Sequence, residues 1–392
     1  MAAPSVRSAF FQSAASVGVH PPRHSKARLL TTMGMRGALL KKIDRIVVKL
    51  GTGVLTDAHK QPDLAQMEQL VSQIVTQRKA GKEMVVVTSG AVGAGMGVLG
   101  HEKRPIELAE LQACAAVGQS RLMTVYERLF AQFSLPVAQV LLTHDDLQHH
   151  DRHLNARNTL VTLLRRGVIP IINENDAISF TELRFGDNDK LSALVACLLP
   201  ADLLVILTTV DGVMEDFAKK SARVLPTVEH IDDTIQSLAG GTISATAVGG
   251  MASKIEAAKI VVRSGIPLVI ASGQKPGTLA RIMGAEEEGT VFVPKPNKLK
   301  GRKRWIAFFH HPKGTLIVDE GAKKALREAG KSLLPPGIAR LEGQFTAGEI
   351  VRICDLNGTE FARGICEFDS RAIAEGRLAR VEVVHRDNLV VL

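Results

Sequence analysis

No GxxxxGK[ST] string and no HRDxxxxN string occurs in the 392 residues, which excludes a P-loop and a protein-kinase catalytic loop. No apolar run reaches the roughly 18 residues of a membrane helix, because the longest stretches break at polar or glycine positions. Cysteine is scarce: Cys114, Cys197, Cys354 and Cys366 form no CxxC pair, a pattern that suits a reducing compartment and buried, inert thiols. Acid is missing from residues 1–43, which hold seven Lys/Arg. The rest of the chain carries 42 basic against 40 acidic residues, so the net charge of +9 belongs mostly to the N-terminal stretch. A nearly neutral body argues against nucleic acid as the main partner. The stretch is rich in Ser, Ala and Arg, the composition of a mitochondrial transit peptide, with a disordered tail or a start at Met33 or Met35 as alternatives. Residues 1–41 are therefore set aside as an extension. The expected location is cytoplasmic, or mitochondrial if residues 1–32 are a transit peptide.

What is present is a regular alternation. Strand-like runs at 46–48, 84–87, 137–142, 168–172, 203–207 and 267–271 are separated by helical patterns at 63–79, 107–133, 155–165, 190–198 and 251–263. Continuously apolar strands between helices predict an α/β fold, an open and mainly parallel sheet sandwiched by helices. Ligands of such sheets bind at the carboxyl ends of the strands. The alternation fades near Pro294. KPNKLKGRKR (295–304) holds six basic residues and reads as a linker into a small β-barrel-like module with strands at 314–318, 349–354 and 379–384 and a helix at 321–328. The expected division is 1–41, 42–296 and 297–392.

Two lysines stand at glycine-bearing turns: Lys49 in IVVKLGTG and Lys254 in GGMASK. Between them lie INEND (172–176) and GDNDK (186–190). Two fixed cations with carboxylates between them are what in-line phosphoryl transfer requires. Each feature also has a plain reading. Lys49 can be a surface lysine whose stem lies on apolar neighbours. Ser89–Gly90 with Gly93, Gly95 and Gly97 can be an ordinary helix start. Asp176, Asp187, Asn188 and Asp189 can be solvated turns, and Gly249–Gly250 an ordinary glycine-punctuated helix start. Against this, Asn offers donor and acceptor to the two ends of an amino acid, and Asp accepts from an ammonium. The set His144, Asp145, Asp146, His149, His150, Asp151 and His153 fits no standard metal spacing and reads as a polar loop.

Read together, VVKLGTGVLT, VVVTSGAVGAG, AAVGQSRL, LNARNTL, PIINENDAI, GDNDKLSAL and GGMASKIEAAK resemble the glutamate 5-kinases of the amino-acid kinase family. RKRWI, VDEGAKKAL, SLLPPGI and GEIVRICD resemble the PUA domain that many microbial members carry. The likeness runs through about residues 42–390 in order. It implies an amino-acid kinase fold and ATP-dependent phosphorylation of the γ-carboxylate of L-glutamate with Mg²⁺, the first step of proline synthesis. It also implies feedback inhibition by proline and a homo-oligomer, dimer or tetramer. Carried over by position, Lys49, Lys254 and Asp189 are the catalytic set, with Asp189 orienting the lysines. Ser89, Asp176, Asn188 and Asp187 match the substrate side. Lys49, Gly51, Thr208, Thr209, Gly249, Gly250, Met251 and Lys254 match the ATP side, and no protein side chain is assigned to metal. Two departures stand out: Thr209 where the family usually has Asp, and Val248 in place of a commonly polar residue.

Rival readings are a relative of the same fold acting on aspartate, N-acetylglutamate, carbamate or a nucleoside monophosphate, and an RNA-binding protein. The first needs a substrate loop other than INEND…GDND. The second finds no surplus charge in residues 305–392, with twelve basic and twelve acidic residues; only 295–304 supplies a patch.

Overall fold

The computed structural model describes residues 34–57, 61–178, 188–215, 223–239, 250–295, 301–309, 312–376, 378 and 381–392. A helix, α1 (residues 34–40), leads into β1 (Arg45–Leu50), α2 (Thr52–Leu55), α3 (Leu64–Lys79), β2 (Glu83–Val87), α4 (Ala91–Leu99), α5 (Leu108–Ala131) and β3 (Val137–Leu142). There follow α6 (His144–Gln148), α7 (His150–Arg165), β4 (Ile169–Glu174), α8 (Asp189–Leu198), β5 (Leu203–Thr208), β6 (Met214–Glu215), β7 (Arg223–Val224), β8 (Thr227–Val228) and α9 (Asp233–Ala239). The first unit closes with α10 (Met251–Arg263), β9 (Leu268–Ser272), α11 (Thr278–Met283) and β10 (Thr290–Phe292). Beyond it come α12 (Gly301–Phe308), β11 (Gly314–Val318), α13 (Glu320–Ala329), β12 (Ile338–Glu342), β13 (Ile350–Cys354), β14 (Glu360–Ile365), α14 (Ser370–Ala374) and β15 (Leu389–Val391).

The apolar strands pair as their composition demands. Eight form one sheet in the order β3-β4-β2-β1-β5-β9-β10-β8, parallel except where β10 meets β9. Side chains alternate across a strand, so β1 divides its residues between two cores. Ile46, Val48 and Leu50 join the layer of α3 and α5 with Met67, Leu70, Ile74 and Tyr126. Val47 joins the opposite layer, built on α8 and α10 with Leu191, Leu194, Ala257 and Val261. Lys49, two residues after Val47, falls on that second face by the same alternation. α8 is apolar nearly all round (LSALVACL) and is accordingly buried except at Lys190.

The C-terminal strands form a separate five-stranded sheet, order β12-β11-β13-β14-β15. In place of the strand expected at 379–384 there is a single bridge, Leu333–Val384, with residues 379–380 outside the described set. The basic stretch expected as a linker becomes in part α12. Its Arg304 is buried and donates to the carbonyls of Cys197 (2.8 Å) and Ser264 (3.3 Å), the C-terminal ends of α8 and α10. The expected polar loop at 144–153 is helical, with Thr143 and Asp146 forming a capping box. All four cysteines are buried. Within the stretch set aside as an extension, Arg36 and Leu40 are buried. Arg36 donates to the carbonyls of Pro226 and Glu288, so the packed chain begins before residue 42.

The glycines after β2 include a turn position and a packing position. Gly90 takes φ +97°, a left-handed turn that favours glycine, and begins α4. Gly95 and Gly118 let α4 and α5 touch backbone to backbone: an added Cβ would lie 1.8 Å from the carbonyl oxygens of Cys114 and Ala91, respectively. Gly118→Ala is therefore expected to destabilise the protein by about 1–3 kcal/mol or more through overpacking, read as a lower urea midpoint.

In the C-terminal sheet, the Lys323 ammonium donates to Asp355 at 3.0 Å. That bond first, then the Thr359 N–H, holds the Asp355 carboxyl below the usual range, and the same bond chiefly holds Lys323 above its own. A depressed carboxyl stabilises the fold above its unfolded pKa of about 3.9 and loses that contribution as pH falls through the folded value. The raised lysine contributes below about 10.4 and loses its share above. Asp355→Asn should lower stability at neutral pH and flatten its decline below about pH 4, measured by urea unfolding across pH.

Candidate active site

Lys49 is the fifth residue of β1, paired with Val87 of β2 on one side and Ile206 of β5 on the other. The strand carries it to the carboxyl edge of the sheet on the face covered by α8 and α10. Those two helices begin at the same edge. Asp189 is the first residue of α8, and Lys254 lies in the first turns of α10 behind Gly250. The three side chains meet. Lys49 Nζ lies 2.7 Å from Asp189 Oδ1, and Lys254 Nζ lies 3.0 Å from Asp189 Oδ2. Asp189 is 0% exposed, Lys49 3% and Lys254 4%, so the bridge is shielded from water. The Ser253 hydroxyl stands 2.9 Å from the same Oδ2 and 2.8 Å from the Gly250 carbonyl oxygen.

Around this centre, α4, α8 and α10 start without a side-chain cap, at Gly90, Asn188 and Gly250. Their first-turn N–H groups lack intrahelical partners, and each end carries the positive pole of the helix dipole. Such ends suit phosphate and carboxylate oxygens.

Gly51, Thr208 and Thr209 form a neighbouring wall. The Gly51 amide donates to the Leu207 carbonyl at 3.1 Å. A Cβ on Gly51 would come within 3.3 Å of that oxygen, and one on Gly53 within 2.9 Å of Thr209 Cγ2. Ser89 is buried beside Gly90, and Met251 opens α10. Asn188 is buried with its amide nitrogen 2.5 Å from the Thr88 carbonyl and 2.6 Å from Asn173 Oδ1. Asp176 follows β4 and lines a cavity of ≈ 520 Å³ with Glu174, Gln119, Gln139 and Ala91. Arg104, pushed below its usual range by burial, is offset by the field of Asp176. Asp187 and Gly249, expected on the substrate and ATP sides, lie outside the described residues, as does Val248.

Sequence reasoning gave no individual role to Thr88, Gln119, Asn173 or Ser253, although INEND contains Asn173 and GGMASK contains Ser253. Asn173 lies just past the strand expected at 168–172, and the structure extends that strand to Glu174 with all six of its residues buried. Gln119 sits in the middle of a long amphipathic helix and carried no signal of its own. Burial raises the Tyr126 phenol above its usual range, so it stays neutral at 2.7 Å from Thr88 Oγ1 and stiffens the turn at Ser89.

Known proteins match most of this chain in sequence. The amino acid kinase family matches residues 44–272 and the PUA domain residues 314–386. A glutamate 5-kinase of Geobacter sulfurreducens is 45% identical over 373 residues, covering 91% of this chain and 100% of its own. One from Moorella thermoacetica is 46% identical over 368 residues, 90% of this chain and 97% of its own. One from Caldanaerobacter subterraneus subsp. tengcongensis is 45% identical over 363 residues, 89% and 98%. With such identity over nearly the full length of both partners, the chain belongs to the amino acid kinase family, among the glutamate 5-kinases, and carries a PUA domain behind its kinase unit.

Proposed function

We propose that this enzyme transfers the γ-phosphoryl group of ATP to the γ-carboxylate of L-glutamate, the first step of proline synthesis. The observation that carries this reading is the pair of lysines, from two different elements, held on the two oxygens of one fully buried carboxylate. Similarity to proteins named glutamate 5-kinase supports the choice of acceptor.

The reaction needs no covalent enzyme intermediate. A γ-carboxylate oxygen of glutamate bonds to the γ-phosphorus while the bond from that phosphorus to the β,γ-bridging oxygen breaks, leaving ADP and an acyl phosphate. Lys49 and Lys254 take up charge on the β and γ oxygens, and Asp189 keeps the two ammonium groups at a fixed spacing. The uncapped starts of α8 and α10 add N–H donors beside them. Gly51, Thr208, Thr209, Gly250 and Met251 form the ATP side, and Ser89, Asn188 and Asp176 the glutamate side. We assign the chemistry to a kinase unit that ends near residue 296 and carries α1 on its surface, with residues 297–392 as linker and PUA domain.

Mg²⁺ arriving with ATP would supply charge neutralisation on the phosphates. Both Asp189 oxygens face lysines, so the nucleotide phosphates, rather than that carboxylate, would hold the metal. Proline as a feedback inhibitor and a homodimer or homotetramer belong to the same reading. The balanced charge of residues 305–392 gives no reason to add RNA to the partners.

Purified protein given ATP, Mg²⁺, glutamate and hydroxylamine should accumulate glutamyl hydroxamate, and well-folded protein that forms none would end this reading. Lys254→Ala should stay folded and lose roughly 10²–10³ in kcat, the cost of one charge-stabilising contact. Its KM for glutamate should move far less. A kcat equal to wild type would remove Lys254 from the chemistry.

A further inference from the structure

Four side-chain amides run from the edge of the reaction centre to the cavity wall. Asn188 Nδ2 donates to the Thr88 carbonyl (2.5 Å) and to Asn173 Oδ1 (2.6 Å). Asn173 Nδ2 donates to Gln119 Oε1 (2.8 Å), and Gln119 Nε2 donates to Gln139 Oε1 (3.1 Å). Asn188, Asn173 and Gln119 are 7%, 1% and 8% exposed, so water does not compete for the inner links.

A primary amide can be turned over, exchanging donor for acceptor, and an isolated Asn or Gln has no built-in direction. This chain has one. The Thr88 carbonyl is a backbone oxygen and can only accept, so the nitrogen of Asn188 must face it. The second Asn188 proton then needs an acceptor, which turns the oxygen of Asn173 inward. The nitrogen of Asn173 must then face Gln119, whose oxygen receives it, and so on to Gln139. Turning any inner member over would set donor against donor or acceptor against acceptor in a buried place, at the full cost of an unmet polar group. Both protons of Asn188 are thereby used within the protein. Its remaining polar atom, Oδ1, can only accept.

We propose that Gln119 and Asn173 are positioning residues that lock the Asn188 amide with its nitrogen turned inward, so that the site recognises its amino-acid substrate at the ammonium group through Asn188 Oδ1. This rests on the glutamate reading above and deepens it. Asn188 was expected to serve both ends of an amino acid; the hydrogen-bond chain leaves it one. Glutarate, which is glutamate without its amino group, is the matching probe. A site that spends a buried acceptor on an ammonium discriminates strongly against an analogue lacking it.

The test compares full-length wild type, Gln119→Met and Gln119→Glu by kcat/KM for glutamate and glutarate in the hydroxamate assay. Thermal stabilisation by each ligand is measured in parallel. Gln119→Met keeps the side-chain length and removes the acceptor for Asn173. It should lower the glutamate-to-glutarate preference by about tenfold, mainly through the KM for glutamate. Gln119→Glu still accepts from Asn173 and should retain more of that preference than Gln119→Met. Gln119→Asn, too short to reach both neighbours, should follow Gln119→Met and serves if the latter does not fold. A folded Gln119→Met or Gln119→Asn that loses both acceptors in equal proportion would overturn the proposal, because a merely structural residue behaves that way. So would Gln119→Glu losing the preference as fully as Gln119→Met. Wild type stabilised by glutamate but forming no hydroxamate would refute the kinase reading alone, and the amide chain would then be judged by the thermal shifts. Wild type not stabilised by glutamate would overturn both.

Discussion

The buried carboxylate of Asp189 is the constraint around which the kinase unit is arranged. Two ammonium groups at 2.7 and 3.0 Å would repel each other without it, and neither could be kept out of water unpaired. Holding that carboxylate in place requires α8 to be buried along its length, which its run of Leu, Ala and Val provides. Bringing Lys49 to it requires β1 to be a central strand, flanked by β2 and β5. Bringing Lys254 to it requires α10 to lie beside α8 and start at the same edge. The sheet order and the layering on that face follow from these needs.

Much of this could be read from residue order. Alternating apolar strands and helices gave the parallel sheet, and the expected helix 251–263 coincides with α10. Period-two alternation along Ile-Val-Val-Lys is enough to place Lys49 on one face. The rest depends on contacts between residues far apart in the chain. Gly95 and Gly118 look like parts of a ligand loop and an ordinary helix, and only the approach of α4 to α5 shows why a Cβ is intolerable there. Gln119 gains its place from Asn173, 54 positions away. The same limit hid Arg36, which from composition alone belonged to a basic extension but is buried against the carbonyls of Pro226 and Glu288.

The basic stretch at 295–304 shows how a charge count misleads when burial is unknown. Arg304 is not part of an open cationic patch. Its guanidinium sits at the ends of α8 and α10, where carbonyls lack helical partners and the dipoles are negative. The Cys197 thiol, pushed up to about 11 by burial, stays protonated and donates to Ser264 Oγ at 3.1 Å across the same junction. On the other side of α12, Ile306 and Ala307 pack with Ile350, Ile365 and Val390, and Arg363 donates to the Ala307 carbonyl at 2.9 Å. One short helix thus joins the C-terminal sheet to the far ends of the two helices whose near ends carry Asp189 and Lys254. The two sheets have separate cores, yet they are not mechanically independent.

Charge and hydrogen-bond polarity divide the labour at the centre. Lysines act at range and with little regard to direction, so in the proposed reaction Lys49 and Lys254 would serve any phosphate placed before them. They cannot tell one small carboxylic acid from another. Recognising an ammonium needs a group that accepts, and a neutral amide offers one reliably only if something decides which way round it sits. Here a backbone carbonyl at the end of β2 makes that decision, and buried amides carry it outward to Gln139. The same strand end leads into Ser89 and the left-handed turn at Gly90. The backbone that shapes the proposed substrate side would therefore also set its polarity, with one strand end serving both and no further charge spent.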